Sequence, residues 1–228
     1  MLKKKQTPNT YDEMFQNGGY KGCYNLSYKN SPYYPMYKQV LRFIKKYKKD
    51  DLLEVGCGSG AFAKFILDKT NLKYKGFDFS RVAIEKSCKL TQRKDIFKIG
   101  DATQIASYEK KYSTIVCTEV LEHITEDLEC IKQWRRGTFC VCSVPNYDSE
   151  YHERYFSSEY EIYSRYSDFL DIHEITRVKK PVLSDLSFLS YLQYVRWNRY
   201  RFKRLLNLMG FGSFERQGGW FIFVATKK

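Results

Sequence analysis

Between residues 49 and 146 the hydrophobic positions follow two alternating patterns. Short apolar runs predict buried strands, and the longer stretches between them, with apolar residues recurring every three or four positions, predict amphipathic helices. Regular alternation of the two is typical of a parallel sheet with crossover helices. The predicted strands are 51–56, 73–78, 95–99, 112–118 and 138–144, and the predicted helices are 60–69, 80–92, 103–107 and 125–135.

The pattern changes on both sides of this region. Residues 1–32 are polar and show no period, so we expect an extended arm or lid, and residues 33–47 carry a helical apolar face. Beyond residue 146 we expect a helix starting near Ser157, a strand over 169–175, a helical, basic and aromatic stretch over 184–209 and a buried strand over 220–225; residues 211–215 are an alternative strand. One domain, 1–228, would thus comprise an arm and lid helix (1–48), a cofactor-binding core (49–146) and a substrate-side part (147–228) that includes an insertion at 184–209.

A glycine-rich turn joins the first predicted strand to the first predicted helix. Gly56, Gly58 and Gly60 stand at alternate positions directly after the apolar run 52–55. Glycine permits a tight turn and a close approach of the backbone to a ligand, and the amides that open the helix can face a polar group. The turn predicts a cradle for a nucleotide-type cofactor, although an ordinary strand-to-helix turn can have the same glycines.

Two carboxylates near this turn bear on which cofactor fits. A dinucleotide site has the spacing Gly-x-Gly-x-x-Gly and holds a pyrophosphate, whereas this chain has Gly-x-Gly-x-Gly. Glu54, just before the first glycine, would repel a pyrophosphate and attract an ammonium group. Asp78 ends the second predicted strand, where a carboxylate can accept hydrogen bonds from both hydroxyls of a ribose. The pattern favours a positively charged nucleoside.

Four segments, LLEVGCGSG, GFDFS, IGDAT and CTEVLEHI, follow one another in this order. Together they resemble the consecutive motifs of class I S-adenosylmethionine-dependent methyltransferases of the small-molecule type, including the ubiquinone-pathway-like group. The resemblance implies an α/β fold with a single Rossmann-like, doubly wound sheet of seven strands, the last antiparallel, with an N-terminal helical lid and a helical insertion near the C-terminus. It also implies S-adenosylmethionine as cofactor and S-adenosylhomocysteine as product.

The same resemblance implies a role for each motif residue. The glycines would lie under the methionine part of the cofactor, with Glu54 at its ammonium end. Asp78 would bind the ribose. Asp101 would receive the adenine amino group, and the Ala102 amide would face a ring nitrogen, although Asp101 after Gly100 could also simply form a turn. Phe79 and Ile105 would flank the adenine, and Glu119 would lie near the sulfur.

The fourth motif contains three residues able to do chemistry, Glu119, Glu122 and His123, which share a face if they form a helical turn. In one hypothesis Glu119 or His123 is a general base for a hydroxyl or amine acceptor. In a second, the three bind a divalent cation, because E-x-x-E-H resembles the metal-binding element of ubiquinone-pathway O-methyltransferases and of enzymes that methylate the 3′ end of small RNAs. In the third, which we favour over metal binding, Glu122 and His123 only buttress the loop.

Further candidates lie around the predicted acceptor side. The run from His152 to Phe156 resembles the substrate-side loop of small-molecule members, so His152 is a second candidate base, Arg154 would face an acceptor anion and Tyr155 would form a wall. Helices at the position of 33–47 usually cover the cofactor in the family. This makes Tyr20, Tyr33 and Tyr37 candidate pocket residues, along with Tyr24 and Tyr34, although core packing explains a tyrosine equally well.

The net charge of +13 favours an anionic partner, although a lysine-rich solvated surface would give the same number. We therefore expect methyl transfer to oxygen or nitrogen of a small anionic acceptor such as a phosphorylated or nucleotide-linked sugar. An RNA methyltransferase, with tyrosines and arginines of 184–209 on the nucleic acid, is one alternative; a non-catalytic cofactor-binding subunit is another. Seven cysteines without a Cys-x-x-Cys pair, and the lack of a long apolar run, favour a cytoplasmic protein with reduced cysteines and no membrane span.

Overall fold

The computed structural model describes residues 7–109, 111–180, 195–196, 199–201 and 212–228. Within these ranges, no helix has both the length and the apolar character needed to cross a membrane. The predicted helical stretch 184–209 lies almost wholly outside the described residues.

Seven strands form one sheet in the order β3-β2-β1-β4-β5-β7-β6. The first five strands are parallel, and β7 lies between β5 and β6 and is antiparallel to both. This confirms the predicted fold class, with its antiparallel last strand. The strands are β1 Asp51–Val55, β2 Lys73–Asp78, β3 Phe97–Ile99, β4 Thr114–Cys117, β5 Phe139–Pro145, β6 Leu170–Lys179 and β7 Gly219–Lys227.

Helices cover both faces of the sheet. On one face, apolar side chains of the second and third helices pack with residues of β1, β5 and β7 in one buried cluster. On the other, the fifth, sixth and seventh helices contribute to a second cluster. The helices are α1 Pro8–Gln16, α2 Tyr34–Lys46, α3 Ala61–Lys69, α4 Arg81–Thr91, α5 Asp127–Lys132, α6 Glu159–Tyr166 and α7 Phe214–Gln217, and 3₁₀ turns form at Tyr20–Asn25 and Ile105–Ser107.

The expected extended arm is wrong over residues 8–16, which form α1. The Thr7 hydroxyl accepts a hydrogen bond from the Thr10 amide, and Pro8 occupies the first turn, where its missing N–H costs nothing. Tyr11 and Phe15, one turn apart, are the buried residues of this helix. Because α1 is short and mostly polar, its sequence shows no clear period. The alternative strand at 211–215 is also wrong, since α7 begins at Phe214.

The strand order places the carboxyl ends of β1 and β4 side by side at the point where the connections reverse direction. Ligands of open α/β sheets bind in the crevice at such a switch point. In this chain the glycine turn after β1 and the loop after β4 both open into this crevice, and α1 lies over it.

Candidate functional site

A cavity of about 1160 Å³ lies at the carboxyl ends of β1, β2 and β4. Its lining includes most of the residues that the sequence pointed to, and it also includes residues of α1 and of the loop that follows β5. The lining residues among those predicted are Tyr24, Tyr33, Tyr37, Glu54, Gly56, Gly58, Asp78, Phe79, Asp101, Ala102, Glu119, His123 and His152.

The glycine turn is tied to the neighbouring strand by its own backbone. The amides of Gly56 and Cys57 both donate to the carbonyl of Phe77, at 2.9 and 3.0 Å. Gly56 has a φ of 69°, and a Cβ there would lie 2.4 Å from a methyl carbon of Val120. Gly60 caps α3 with a φ of 83°, and a Cβ added there would in the same way collide with Ser87. Only glycine fits at these two positions, so the turn has a single tight conformation.

Asp78 is held at the end of β2 by two amides. Its Oδ2 accepts from the Gly58 N–H and its Oδ1 from the Ser80 N–H, both at 2.9 Å. The carboxylate is 6% exposed, and burial raises its pKa to about 6. A carboxylate oriented in this way has lone pairs left to accept further hydrogen bonds from a ligand.

Glu54 lies deeper, at 3% exposure, and its Oε2 accepts a hydrogen bond from the Tyr74 hydroxyl. Burial raises the pKa of this carboxyl group to about 8, which outweighs the opposing effect of the Tyr74 hydrogen bond. Glu54 therefore carries a proton for much of the time at neutral pH, and a cationic ligand group beside it would drive that proton off.

Asp101 and Ala102 lie at the mouth of the cavity. The Asp101 Oδ1 accepts from the amide and the hydroxyl of Thr103, both at 2.8 Å, which forms a local turn. Phe79 lines the cavity with its ring 5.0 Å from that of Tyr11. Ile105 is 66% exposed and is not among the lining residues, whereas Ile99 is.

Glu119 follows β4 in a left-handed conformation with a φ of 57°. Such a conformation costs a residue other than glycine about 1–3 kcal/mol, and strained residues of this kind cluster at functional sites. The Glu119 amide donates to the Ser143 hydroxyl at 3.0 Å, and burial raises the pKa of the Glu119 carboxyl to about 7. The left-handed conformation interrupts the predicted helical turn, but the carboxyl groups of Glu119 and Glu122 still lie beside each other.

The structure groups Glu122 and His123 with His152 instead. The ligand atoms of these three residues all lie within 4.8 Å of one another. The Nδ1 atoms of His123 and His152 lie 2.7 and 3.1 Å from the carbonyl oxygens of Tyr151 and Tyr147. A carbonyl oxygen can only accept, so each ring donates its Nδ1 proton to that carbonyl, and a neutral ring then has its lone pair on Nε2. Burial and the neighbouring His152 lower the pKa of His123 to about 3, so this ring is neutral.

Glu122 is fully buried, and apart from the neighbouring carboxyl group of Glu119 its carboxyl oxygens have no hydrogen-bond partner in the described part of the chain. Burial and the nearby Glu119 raise its pKa well above the ordinary value. A buried carboxyl without partners is costly unless a ligand or ion satisfies it. One carboxylate and two imidazoles, each imidazole donating its other N–H to a carbonyl, fit a divalent transition metal such as Zn²⁺ or Mn²⁺.

The remaining predicted residues lie elsewhere. The Arg154 guanidinium donates to the carbonyls of Leu121, Ile124 and Thr125, so it supports the loop after β4 from outside the cavity lining. Tyr155 is 50% exposed and does not line the cavity. Tyr20 begins the 3₁₀ turn, and its side chain is outside what is described.

Sequence reasoning missed Tyr11 and Lys180. Tyr11 reaches the cavity from α1, with its ring 6.0 Å from that of His123 and its hydroxyl buried without a hydrogen-bond partner among the described residues. The spacing of Tyr11 and Phe15 was the signal that could have found α1. Lys180 follows β6 and lines the cavity 5.1 Å from the Tyr147 ring centroid. No local pattern distinguishes it from the other lysines.

Among solved structures, three similar ones illustrate the fold. The N-methyltransferase NodS from Bradyrhizobium japonicum, solved with S-adenosylhomocysteine, has a TM-score of 0.54 at 16% identity over 84% of this chain and 85% of that one. The methyltransferase domain of a bacterial Hen1 protein has a TM-score of 0.56 at 16% identity over 86% and 100% of the two chains. The [4+2]-cyclase SpnF has a TM-score of 0.63 at 12% identity over 100% and 99%. At these identities the likeness shows the fold alone.

Sequence comparison supplies the family. No protein with a curated description matches the sequence at a significant level. The sequence model of a family described as a methyltransferase domain matches residues 29–181, well over half of the chain, including the glycine turn, Asp78, Asp101 and the loop after β4. The chain therefore belongs to the methyltransferase-domain family, the class I enzymes that use S-adenosylmethionine as methyl donor.

Proposed function

We propose that this chain is an enzyme that transfers the methyl group of S-adenosylmethionine to an oxygen or nitrogen of a small acceptor. The observation that carries the proposal is the pair of buried carboxylates, Glu54 and Asp78, on either side of the glycine turn in one cavity. Together they suit a ligand with an ammonium group at one end and ribose hydroxyls further along.

In this proposal each cofactor residue acts through a group that is already positioned. Asp78 accepts hydrogen bonds from the ribose hydroxyls through the lone pairs that the amides of Gly58 and Ser80 do not use. Glu54 in its charged form binds the ammonium group. Phe79 packs on the adenine. Asp101 and the Ala102 amide hydrogen-bond its edge, and the glycine turn, Gly56 to Gly60, lies under the methionine part.

Methyl transfer from a sulfonium is an in-line displacement, so the protein mainly has to hold donor and acceptor collinear and close together. The residues after β4 would do this on the acceptor side. His123 is neutral with its Nδ1 proton on a carbonyl, so its Nε2 can take a proton from the acceptor. Glu119 and His152 are the other candidate bases.

A second candidate function is metal-assisted transfer to a hydroxyl. It is favoured by the cluster of Glu122, His123 and His152, and by the carboxyl oxygens of Glu122, which apart from the carboxyl group of Glu119 lack partners among the described residues. A divalent cation held there would lower the pKa of a coordinated hydroxyl. Calorimetric titration with Mn²⁺ tests it: stoichiometric binding that is lost in Glu122→Gln supports a metal site, and no binding excludes it.

The charge of the cavity bears on the expected anionic acceptor. Among the described lining residues seven are acidic, and Lys180 is the one lysine or arginine. The described lining of this cavity therefore does not carry the positive net charge of the chain. It gives no support to a phosphorylated or nucleotide-linked sugar as the acceptor, and the RNA alternative rests on residues 184–209, nearly all of which lie outside the described residues.

Calorimetry with S-adenosylhomocysteine is the test of the proposed function. We expect one bound molecule per chain and, for Asp101→Ala, a loss of about 1.5–3 kcal/mol of binding free energy, the value of a hydrogen bond to a charged group. Absence of binding by the wild-type protein would contradict the proposal. If S-adenosylhomocysteine binds but mass spectrometry detects no methylated product with any acceptor, the non-catalytic subunit would be favoured.

A further inference from the structure

Several aromatic rings line the cavity together with Glu119. Tyr24, Tyr33 and Tyr147 are among them. The Tyr33 ring packs at 5.6 Å on the indole of Trp220, which is fully buried and does not line the cavity. We call Glu119, Tyr24, Tyr33 and Tyr147 the acceptor box.

The acceptor box combines the two features that attract an organic cation. Aromatic faces carry negative charge density, and a set of such rings around one carboxylate holds ammonium groups through cation–π and ionic contacts. Glu126, Asp148 and Glu150 line the same cavity outside the box. The local potential is therefore negative even though the chain as a whole carries a net charge of +13.

Lys180 shows that an ammonium group fits this box. Its Nζ lies 5.1 Å from the centroid of the Tyr147 ring, in the same cavity as Glu119. Lys180 therefore makes, from the chain itself, the contact that an incoming ammonium group of similar size would make. A phosphate or carboxylate at the same position would instead meet Glu119 and the negative faces of the rings.

We infer that the acceptor is an amine, which enters the cavity as an organic cation and is held by the acceptor box. The inference rests on the proposed function and names its substrate class. The ammonium form first loses its proton, through the candidate base His123 or directly to water at the cavity mouth, and the nitrogen lone pair then forms the N–C bond while the C–S bond of the donor breaks. The electron pair of that bond stays on sulfur, so the products are a methylated ammonium ion and neutral-sulfur S-adenosylhomocysteine.

The test uses three probes of one shape and different charge: choline, its neutral carbon analogue 3,3-dimethyl-1-butanol, and the anion 3,3-dimethylbutanoate. Their affinities for the full-length protein saturated with S-adenosylhomocysteine are measured by calorimetry in buffer containing EDTA. We expect choline to bind about tenfold more tightly than the alcohol, as cation–π contact in a desolvated site allows, and the anion to bind most weakly. Equal affinities, or preference for the anion, would overturn the inference.

Variants test whether the acceptor box causes the preference for choline. Glu119→Gln and Tyr147→Leu should abolish the preference for choline, whereas Tyr147→Phe, which keeps the ring, should retain it. Tyr155→Leu, on an exposed ring outside the cavity, is the matched control. If a box variant does not fold, the wild-type comparison decides alone.

Two outcomes separate the inference from the function on which it rests. If S-adenosylhomocysteine itself does not bind, the proposed function fails. If it binds, but 3,3-dimethyl-1-butanol equals choline in EDTA and exceeds it once Mn²⁺ is added, the box serves a hydroxyl beside a metal ion. The proposed function then stands and the amine assignment is wrong.

Discussion

The cavity has two parts in the proposed function: a cofactor half around Glu54, Asp78 and the glycine turn, and an acceptor half formed by the acceptor box. In the cofactor half the polar side chains are held by the strands and turns from which they come, whereas the acceptor half is assembled from distant parts of the chain. Asp78 is oriented by the amides of Gly58 and Ser80, and the glycine turn by the carbonyl of Phe77. The acceptor box instead takes Tyr24 from the 3₁₀ turn, Tyr33 from the start of α2, Glu119 from the loop after β4 and Tyr147 from the loop after β5.

The difference indicates where changes in specificity are tolerated. In the cofactor half, backbone hydrogen bonds within one short segment hold each side chain, so a substitution there disturbs its immediate neighbours. An acceptor half made of side chains from four places can change one wall without disturbing the others. Substitutions in the two halves should therefore have separable effects, on cofactor affinity in one half and on turnover in the other.

The largest expected effect is on turnover. His123→Ala should lower the rate of methyl transfer by about 10², the lower end of the usual contribution of a general base, because a pKa of about 3 makes this ring a weak base; the affinity for S-adenosylhomocysteine should stay within about twofold. Rates at saturating cofactor and calorimetry measure the two quantities. His173→Ala, on an exposed residue of β6, is the control. Turnover like that of the wild type would mean that His123 only buttresses the loop.

The next effect is on cofactor affinity. Asp78→Ala should weaken S-adenosylhomocysteine binding by about 1.5–3 kcal/mol for each ribose hydroxyl that it leaves without an acceptor. Calorimetry measures the loss, and Asp95→Ala, which removes an exposed carboxylate paired with Arg93, should change nothing. Unchanged affinity in Asp78→Ala would remove the ribose assignment and, with it, the main argument that the two halves are separable.

Glu54 predicts a pH dependence. Its pKa is about 8 in the folded protein against an ordinary 4.5, so between these values the folded state binds more protons than the unfolded state. The free energy of unfolding of the ligand-free protein should therefore fall as the pH rises through this window. Glu54→Gln, which keeps an acceptor for Tyr74, should show a flatter dependence. Denaturant titrations at several pH values measure the free energy of unfolding of the two proteins. Titratable groups that both proteins share cancel in the difference between them.

The same shift predicts proton release on cofactor binding. An ammonium group beside Glu54 favours its charged form, so the affinity for S-adenosylhomocysteine should rise with pH up to about 8. Calorimetry in buffers of different ionisation enthalpy would detect the released proton, and Glu54→Gln should reduce it. Proton uptake on binding would contradict the assignment of Glu54 to the ammonium group.

The smallest expected effect concerns α1. The Tyr11 hydroxyl is buried without a partner in the described part of the chain, so Tyr11→Phe should stabilise the ligand-free protein by about 1 kcal/mol. If the hydroxyl serves a bound ligand, the same variant should weaken S-adenosylhomocysteine or acceptor binding. Higher thermal stability of the ligand-free variant together with weaker ligand binding in calorimetry would assign Tyr11 to the site. Lower stability of the ligand-free variant would instead show that the hydroxyl makes a structural hydrogen bond.

Predictability followed the same division. The placement of Glu54, the glycine turn and Asp78 at one cavity was predicted from the sequence, because all three belong to strand-turn-helix units, which have local patterns. The helical turn expected for Glu119, Glu122 and His123 does not form, since Glu119 takes a left-handed conformation, and no local pattern indicated that His152 would join Glu122 and His123. Arg154 was expected at the acceptor, but its charge binds the carbonyls of a neighbouring loop, which no local pattern reports.

The sequence by itself determined the alternation of strands and helices, the doubly wound sheet and the cofactor half, because periodicity and backbone chemistry act over a few neighbouring residues. Only the tertiary structure decided that α1 covers the cavity, that His152 joins Glu122 and His123, and that Lys180 is the one described lysine or arginine in an acidic, aromatic lining. These features depend on which distant side chains the sheet order brings together. A net charge summed along the chain carries no information about where in space each charge lies.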